Sequence, residues 1–355
     1  MENIFAKIAQ DTTKFDLGDE EGWRKLYEPL YAEAPDNVGV VKDESYGPAE
    51  RNRLDVYFPL EEKPGGYPVV LYVHGGGFFS GDKGWSEKCW ANVGFFFAQR
   101  GFVTVLANHQ LVPHVVYPGG ADDMQLAREW IFENIAKEKY GRGIPEKVVL
   151  LGHSSGGAHI AMNLYAAGDE FLDNCHLHSL LTRDIGDPNR KTNIPLFPPV
   201  AGVIYLSVPF WFDRRKPVRQ RVIRHYWGSD EEEVWGPLSA LGLFRNLPEE
   251  SPLLDSEQLP VYIGSVKWEV KETADATVAF FNAYRERSKP PGTLPVFHVQ
   301  DRHNHVSNVL SIGTADSAQA ERLLDFMQSC VAKVDQRNQH GKETRHREAP
   351  RSTRL

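Results

Sequence analysis

Cysteine is scarce in this chain. Cys89, Cys175 and Cys330 are the only three in 355 residues, an odd number, widely spaced and without a C-x-x-C pair. That excludes a disulfide framework and a cysteine-rich zinc site, and it suits a reducing compartment. Long apolar runs are missing as well. Residues 93–98 (VGFFFA) are cut off at once by Gln99 and Arg100, far short of the roughly 20 residues that cross a bilayer. The first residues, up to Asp11, hold no sustained apolar stretch, so a cytoplasmic protein without a secretory signal is expected. Positive charge is not in excess either. The net charge of −8 argues against nucleic acid as the main partner. No internal repeat is visible.

What is present is a regular alternation of apolar runs and helical patterns. Residues 1–36 are acidic and aromatic, with Trp23, Tyr27 and Tyr31 at helical spacing. They read as an amphipathic arm folding back on the body, either over the mouth of a site or as simple packing. Residues 38–42 and 54–58 suit an antiparallel hairpin. Runs at 68–74, 102–107, 148–151, 201–207, 261–264 and 294–299 read as buried strands. Helices are expected at 87–100, 121–137, 158–164, 272–287 and 315–331. Strands and helices alternating in this way imply βαβ crossovers and a mostly parallel sheet, an α/β architecture. Residues 168–199 are polar and punctuated by prolines. Residues 209–258 interrupt the pattern with Trp211, Phe212, Tyr226, Trp227 and Trp235 among many charges, and read as a helical cap over the strand ends. From about 332 to 355 the chain turns polar and basic, the composition of a solvated, disordered tail. The division expected is an arm at 1–36, a main domain at 37–331 with its cap insertion, and the tail.

One stretch organises the rest. Gly152-His153-Ser154-Ser155-Gly156 matches G-x-S-x-G, with an apolar run before it and a helical pattern after it, the context that motif needs. A serine at the apex of so tight a strand-to-helix turn projects its hydroxyl outward, and glycines on either side avoid a collision. Upstream, His74-Gly75-Gly76-Gly77 follows a buried strand. Glycines there let backbone N–H groups face a ligand. Gly75, Gly76 and Ser155 are therefore the candidate amides for an oxyanion.

Acyl transfer to a serine also needs a base and a carboxylate that orients it. His305, just after the last strand, is the preferred base, with His303 as its rival. Glu269 is the best-placed acid, with Glu272 and Asp275 next. Lys267 beside them has no evident role.

These motifs together resemble the esterase/lipase branch of the α/β-hydrolase superfamily, which includes the hormone-sensitive-lipase-like carboxylesterases. The resemblance is closer to the kynurenine formamidase and feruloyl-esterase-like group, where similar elbows and a terminal H-[DN]-H stretch recur. It covers about residues 38–330. It implies an α/β-hydrolase fold and serine hydrolysis of a carboxylic ester or activated amide of a small apolar or aromatic substrate, with no metal or cofactor. Two positions depart from the group's pattern. Trp268-Glu269-Val270 stands where Asp-Pro is usual, and Ser155 stands where Ala is usual. Acyl transfer or lactone formation on the same triad remains an alternative, as does a non-catalytic small-molecule receptor on the same fold.

Overall fold

The computed structural model describes residues 1–12, 14, 19–169, 197–213 and 217–348, with side chains as far as residue 340. Eight strands form one sheet among the described residues: β1 (Val38–Ser45), β2 (Arg53–Pro59), β3 (Tyr67–Val73), β4 (Val103–Ala107), β5 (Gly143–His153), β6 (Gly202–Leu206), β7 (Val261–Trp268) and β8 (Val296–Asn304). Their order is β1-β2-β4-β3-β5-β6-β7-β8. The hairpin β1–β2 and the β2–β4 pair are antiparallel, and every later pair is parallel.

The inner parallel strands are buried on both faces because helices cover both, whereas the edge strand β8 is largely exposed. Along β3, Val69, Leu71 and Val73 belong to one core cluster, while Val70 and Tyr72 face the other. Helices α4 (Gly119–Asn134) and α5 (Ser155–Leu164) pack on the first side. They are joined there by α6 (Pro217–Trp227), α7 (Glu232–Trp235), α8 (Ala240–Arg245) and α9 (Lys271–Arg287). The second side carries α1 (Glu2–Asp11), α2 (Glu20–Tyr27), α3 (Ala91–Ala98), α10 (Ser307–Leu310) and α11 (Ala318–Glu348).

Three differences from the sequence reading have local causes. Helix α3 begins at Ala91 rather than near residue 87. The Ser86 hydroxyl accepts from the Cys89 amide at 3.1 Å and the Ser86 amide donates to Cys89 O, so a turn occupies 86–89. Within the arm, Trp23 and Tyr27 lie on α2 but Tyr31 lies beyond it, and its hydroxyl donates to Leu310 O. The closing helix, expected to stop at Val331 before a tail from about 332, instead runs on to Glu348. Its extension is anchored: Val334 is buried, Lys333 pairs with Glu257, Asp335 pairs with Lys147, and Arg337 donates to the Glu257 and Gln258 carbonyls. Most of the proline-punctuated stretch 168–199 lies outside the described residues.

Candidate active site

The C-terminal ends of β3, β5, β7 and β8 deliver four loops to one place. At the end of β5, Ser154 sits at φ 51° and ψ −127°, a backbone conformation that costs a non-glycine residue energy and throws its side chain out of the turn. The reversal is tight enough to require glycine. A Cβ on Gly152 would come within 2.4 Å of Gly157 Cα, and one on Gly156 within 2.4 Å of the Val73 and His74 carbonyl oxygens. Ser155 opens α5, where the first amides have no intrahelical acceptor.

The loop after β8 is fixed by reciprocal bonds. The Asn304 amide donates to Ser307 Oγ at 2.9 Å, and the Ser307 amide donates to Asn304 Oδ1 at 3.0 Å. His303 and His305 end up on opposite errands. His303 lies 2.8 Å from Asp316 Oδ2 and 3.0 Å from Ser307 Oγ, away from Ser154. His305 Nε2 accepts from Ser154 Oγ at 2.9 Å, and its Nδ1–H donates to Glu269 Oε1 at 2.7 Å.

All three members of this row are buried. Strand β7 runs to Trp268, longer than its apolar run suggests, and so hands over Glu269 at its tip. The rival acids are committed elsewhere. Glu272 is held by Arg219 and accepts from the Asp213 amide, and Asp275 pairs with Lys271 at 2.5 Å. Lys267 is an exposed partner of Asp301.

The glycine loop is oriented by its carbonyls. His74 Nδ1–H donates to Gly75 O at 2.7 Å. In a trans peptide the N–H points opposite the C=O, so the Gly76 amide turns away from His74, to the side where the loop borders the cavity. Gly76 O is in turn held by the Ser80 amide and hydroxyl, which sets the Gly77 amide in the same manner. Gly76 has φ 141°, and a Cβ there would lie 1.9 Å from Ser80 O.

Behind the loop, Asn108 gathers its far end. Asn108 Oδ1 accepts from the Lys83 amide at 2.5 Å and lies 3.1 Å from His74 Nε2, while Nδ2 donates to Asp82 Oδ2 at 2.8 Å. Lys83 is anchored on Asp55 and Asp43 at 2.7 Å each. Burial, reinforced by His109, pushes His74 down to about 3, so the ring is neutral. None of this network beyond His74–Gly77 and Ser80–Lys83 is marked in the sequence.

Ser154 and His305 open onto a cavity of about 300 Å³ that Gly75, Gly76 and Gly77 also border. Trp85, Trp90, Val218 and Leu310 give it an apolar wall, and Glu20 and Arg24 reach it from the N-terminal arm. Sequence reading had no signal for Arg24, because nothing local ties the arm to a loop some 130 residues away. Among the described residues no cluster of His, Cys, Asp or Glu is placed to hold a metal, and no helix is long and apolar enough to cross a membrane.

Residues 54–184 match the BD-FAE family model. A probable isoprenylcysteine alpha-carbonyl methylesterase of Oryza sativa subsp. japonica is 36% identical over 122 residues, 34% of this chain and 27% of the relative. Esterase P of Drosophila melanogaster is 32% identical over 31% of this chain and 21% of its own length. The chain thus spans about a quarter of the length of the curated relatives it matches. Among solved structures, esterase B from Lactobacillus rhamnosis superimposes with a TM-score of 0.65 at 15% identity, covering 96% of this chain and 99% of that one. EstE1, a thermophilic carboxylesterase cloned from a metagenomic library, gives 0.57 at 18% identity over 88% and 94%. The fold is that of the α/β-hydrolases.

Proposed function

We propose that the chain is a serine carboxylesterase. The observation that carries the reading is the hydrogen-bonded row Ser154–His305–Glu269, with 2.9 and 2.7 Å links, at the floor of a cavity bordered by the glycine loop. The esterase names of its partial relatives support it.

In this mechanism His305 Nε2 takes the Ser154 hydroxyl proton as Oγ attacks the ester carbonyl. Glu269 holds Nδ1–H, fixes the tautomer and offsets the imidazolium charge as it forms. The amides of Gly75, Gly76 and Ser155 take the oxyanion, an arrangement in which each donor is worth on the order of 10²–10³ in rate. His305 then returns the proton to the leaving alcohol. Water, deprotonated by His305, attacks the acyl-enzyme and releases the acid.

The substrate is small and apolar or aromatic in its body, matching Trp85, Trp90, Val218 and Leu310. An activated amide of the formamide type would follow the same steps. Residues 209–258 serve as the cap, contributing Pro209, Val218 and Arg219 to the wall.

A fluorophosphonate probe tests the reading, together with p-nitrophenyl esters and an aryl formamide. Wild type should be labelled and should turn over at least one ester, while Ser154→Ala and His305→Ala should do neither. Labelling of Ser154→Ala at the wild-type rate would overturn the assignment.

A further inference from the structure

Two guanidinium groups are set into the otherwise largely apolar wall above Ser154, and neither has all its donors used. Arg24, on α2, lies with Cζ 4.5 Å over the Trp85 ring, which packs against Trp90 at 6.2 Å. Its guanidinium makes no hydrogen bond or ion pair among the described residues, and its Nη1 is buried without a partner. Arg219, on α6, spends Nε and Nη2 on Glu272 at 2.9 and 2.8 Å. Its Nη1 is likewise buried and unpartnered. Both residues border the same cavity as Ser154 and His305.

A buried donor without an acceptor is unfavourable, and a guanidinium fixed on an aromatic face is preorganised for a planar anion. Glu272 already neutralises Arg219, which leaves Arg24 as the cation with no ion pair to an acid among the described residues, although Glu21 on the same helix is near enough to feel its charge. A monoanion fits that charge; a dianion would leave one negative charge unmatched in an apolar wall.

We propose that this wall is a carboxylate subsite. On the esterase reading of Ser154, the substrate is an anionic ester whose free carboxylate is taken by Arg24, with the Glu272-paired Arg219 beside it on the cavity border. Glu20 also borders the cavity, so a cationic ester is the opposing outcome.

Four esters in two matched pairs test this. Mono-(4-nitrophenyl) glutarate is set against 4-nitrophenyl pentanoate, and 4-carboxyphenyl pentanoate against phenyl pentanoate. In at least one pair the anionic ester should have the higher kcat/KM by about tenfold or more, chiefly through KM. Arg24→Met should bring that ratio toward unity, and Arg24→Lys should retain part of it. A ratio at or below one in both pairs, a preference for a trimethylammonium ester, or a ratio unmoved in Arg24→Met would overturn the subsite.

A binding arm does not depend on turnover. In Ser154→Ala, calorimetry should show saturable binding of 4-phenylbutyrate, weakened at least tenfold by adding Arg24→Met, and no comparable binding of 4-phenylbutanol. Absent or Arg24-independent binding would sink the subsite. Normal binding with no ester hydrolysed would instead sink the esterase reading.

Discussion

His153 donates its Nε2–H to the carbonyl oxygen of His305 across 2.8 Å. One residue of the elbow thereby grips the backbone of the residue that faces Ser154. Burial, with the His305 ring adding to it, pushes His153 down to about 3, so the ring is neutral and Nδ1 is left without a partner. The expected consequence is kinetic. His153→Leu removes the grip while keeping an apolar filler, and kcat should fall about tenfold, the worth of roughly one lost hydrogen bond in positioning, with KM held. Steady-state kinetics on a neutral p-nitrophenyl ester reads this directly. A rise in KM at constant kcat would mean that the bond serves substrate binding instead.

Asn108 is the corresponding device for the glycine loop. Its side chain joins the Lys83 amide to Asp82 and lies 3.1 Å from the His74 ring, and His74 sets the Gly75–Gly76 peptide. Asn108→Ala leaves the Lys83 amide and Asp82 unheld and removes the side chain packed beside the His74 ring. Turnover should drop by about 10- to 1,000-fold, the range for losing part or all of one oxyanion donor, while circular dichroism stays that of wild type. A kcat within twofold of wild type would show that the loop keeps its geometry unaided.

The uneven legibility of this site follows from distance along the chain. Ser154 was readable because its whole geometry is local: a buried strand, a helix, and glycines at 152 and 156 where a Cβ cannot fit. His305 could be placed after the last strand but not separated from His303 by spacing. What separates them is the Asn304–Ser307 clasp and the partner Asp316. Glu269 stood among three carboxylates, and its 2.7 Å bond to His305, with Glu272 engaged by Arg219 and Asp275 by Lys271, sets it apart from the other two. Arg24 and Asn108 carried no signal, since each acts through residues brought near by folding. The tail reading departs from the structure over residues 332–348, where the closing helix continues, for the same reason. A polar, basic composition looks solvated until Glu257 and Lys147 are seen to receive it.

Four buried histidines set the expected acid limit of the fold. Burial is the largest cause at each: it holds His74 and His153 at about 3, His159 well below the ordinary value, and His109 below it. In the unfolded chain the same rings titrate near 6.5. The unfolded state therefore takes up protons that the folded state refuses as pH falls below 6.5. Stability is level above that value and declines beneath it, by about 1.4 kcal/mol per pH unit for each ring once it is protonated in the unfolded chain. The urea midpoint should be lower at pH 5 than at pH 7.5, and equal midpoints would refute the account. His159 has neither ring nitrogen hydrogen-bonded and packs against Phe78 at 4.5 Å. His159→Leu should accordingly raise the pH 5 midpoint more than the pH 7.5 midpoint.

The carboxylate behind His305 gives the sharpest contrast. Glu269 Oε1 accepts both from His305 Nδ1–H at 2.7 Å and from the Val270 amide at 3.0 Å, so the side chain is held in place by its own backbone. Glu269→Gln preserves that shape and removes the charge. The imidazolium formed as Ser154 attacks then lacks its counter-ion, and an amide turned with its NH₂ toward Nδ1 favours the wrong tautomer. Turnover should fall by on the order of 10³–10⁴, as for the equivalent carboxylate-to-amide change in a serine triad. KM should change little, because Glu269 does not border the cavity. Asp275→Asn is the control: its carboxylate is exposed and paired with Lys271, and kcat should stay within twofold. Equal losses in the two variants would mean that removing charge near α9 matters in general, and Glu269 would lose its special place.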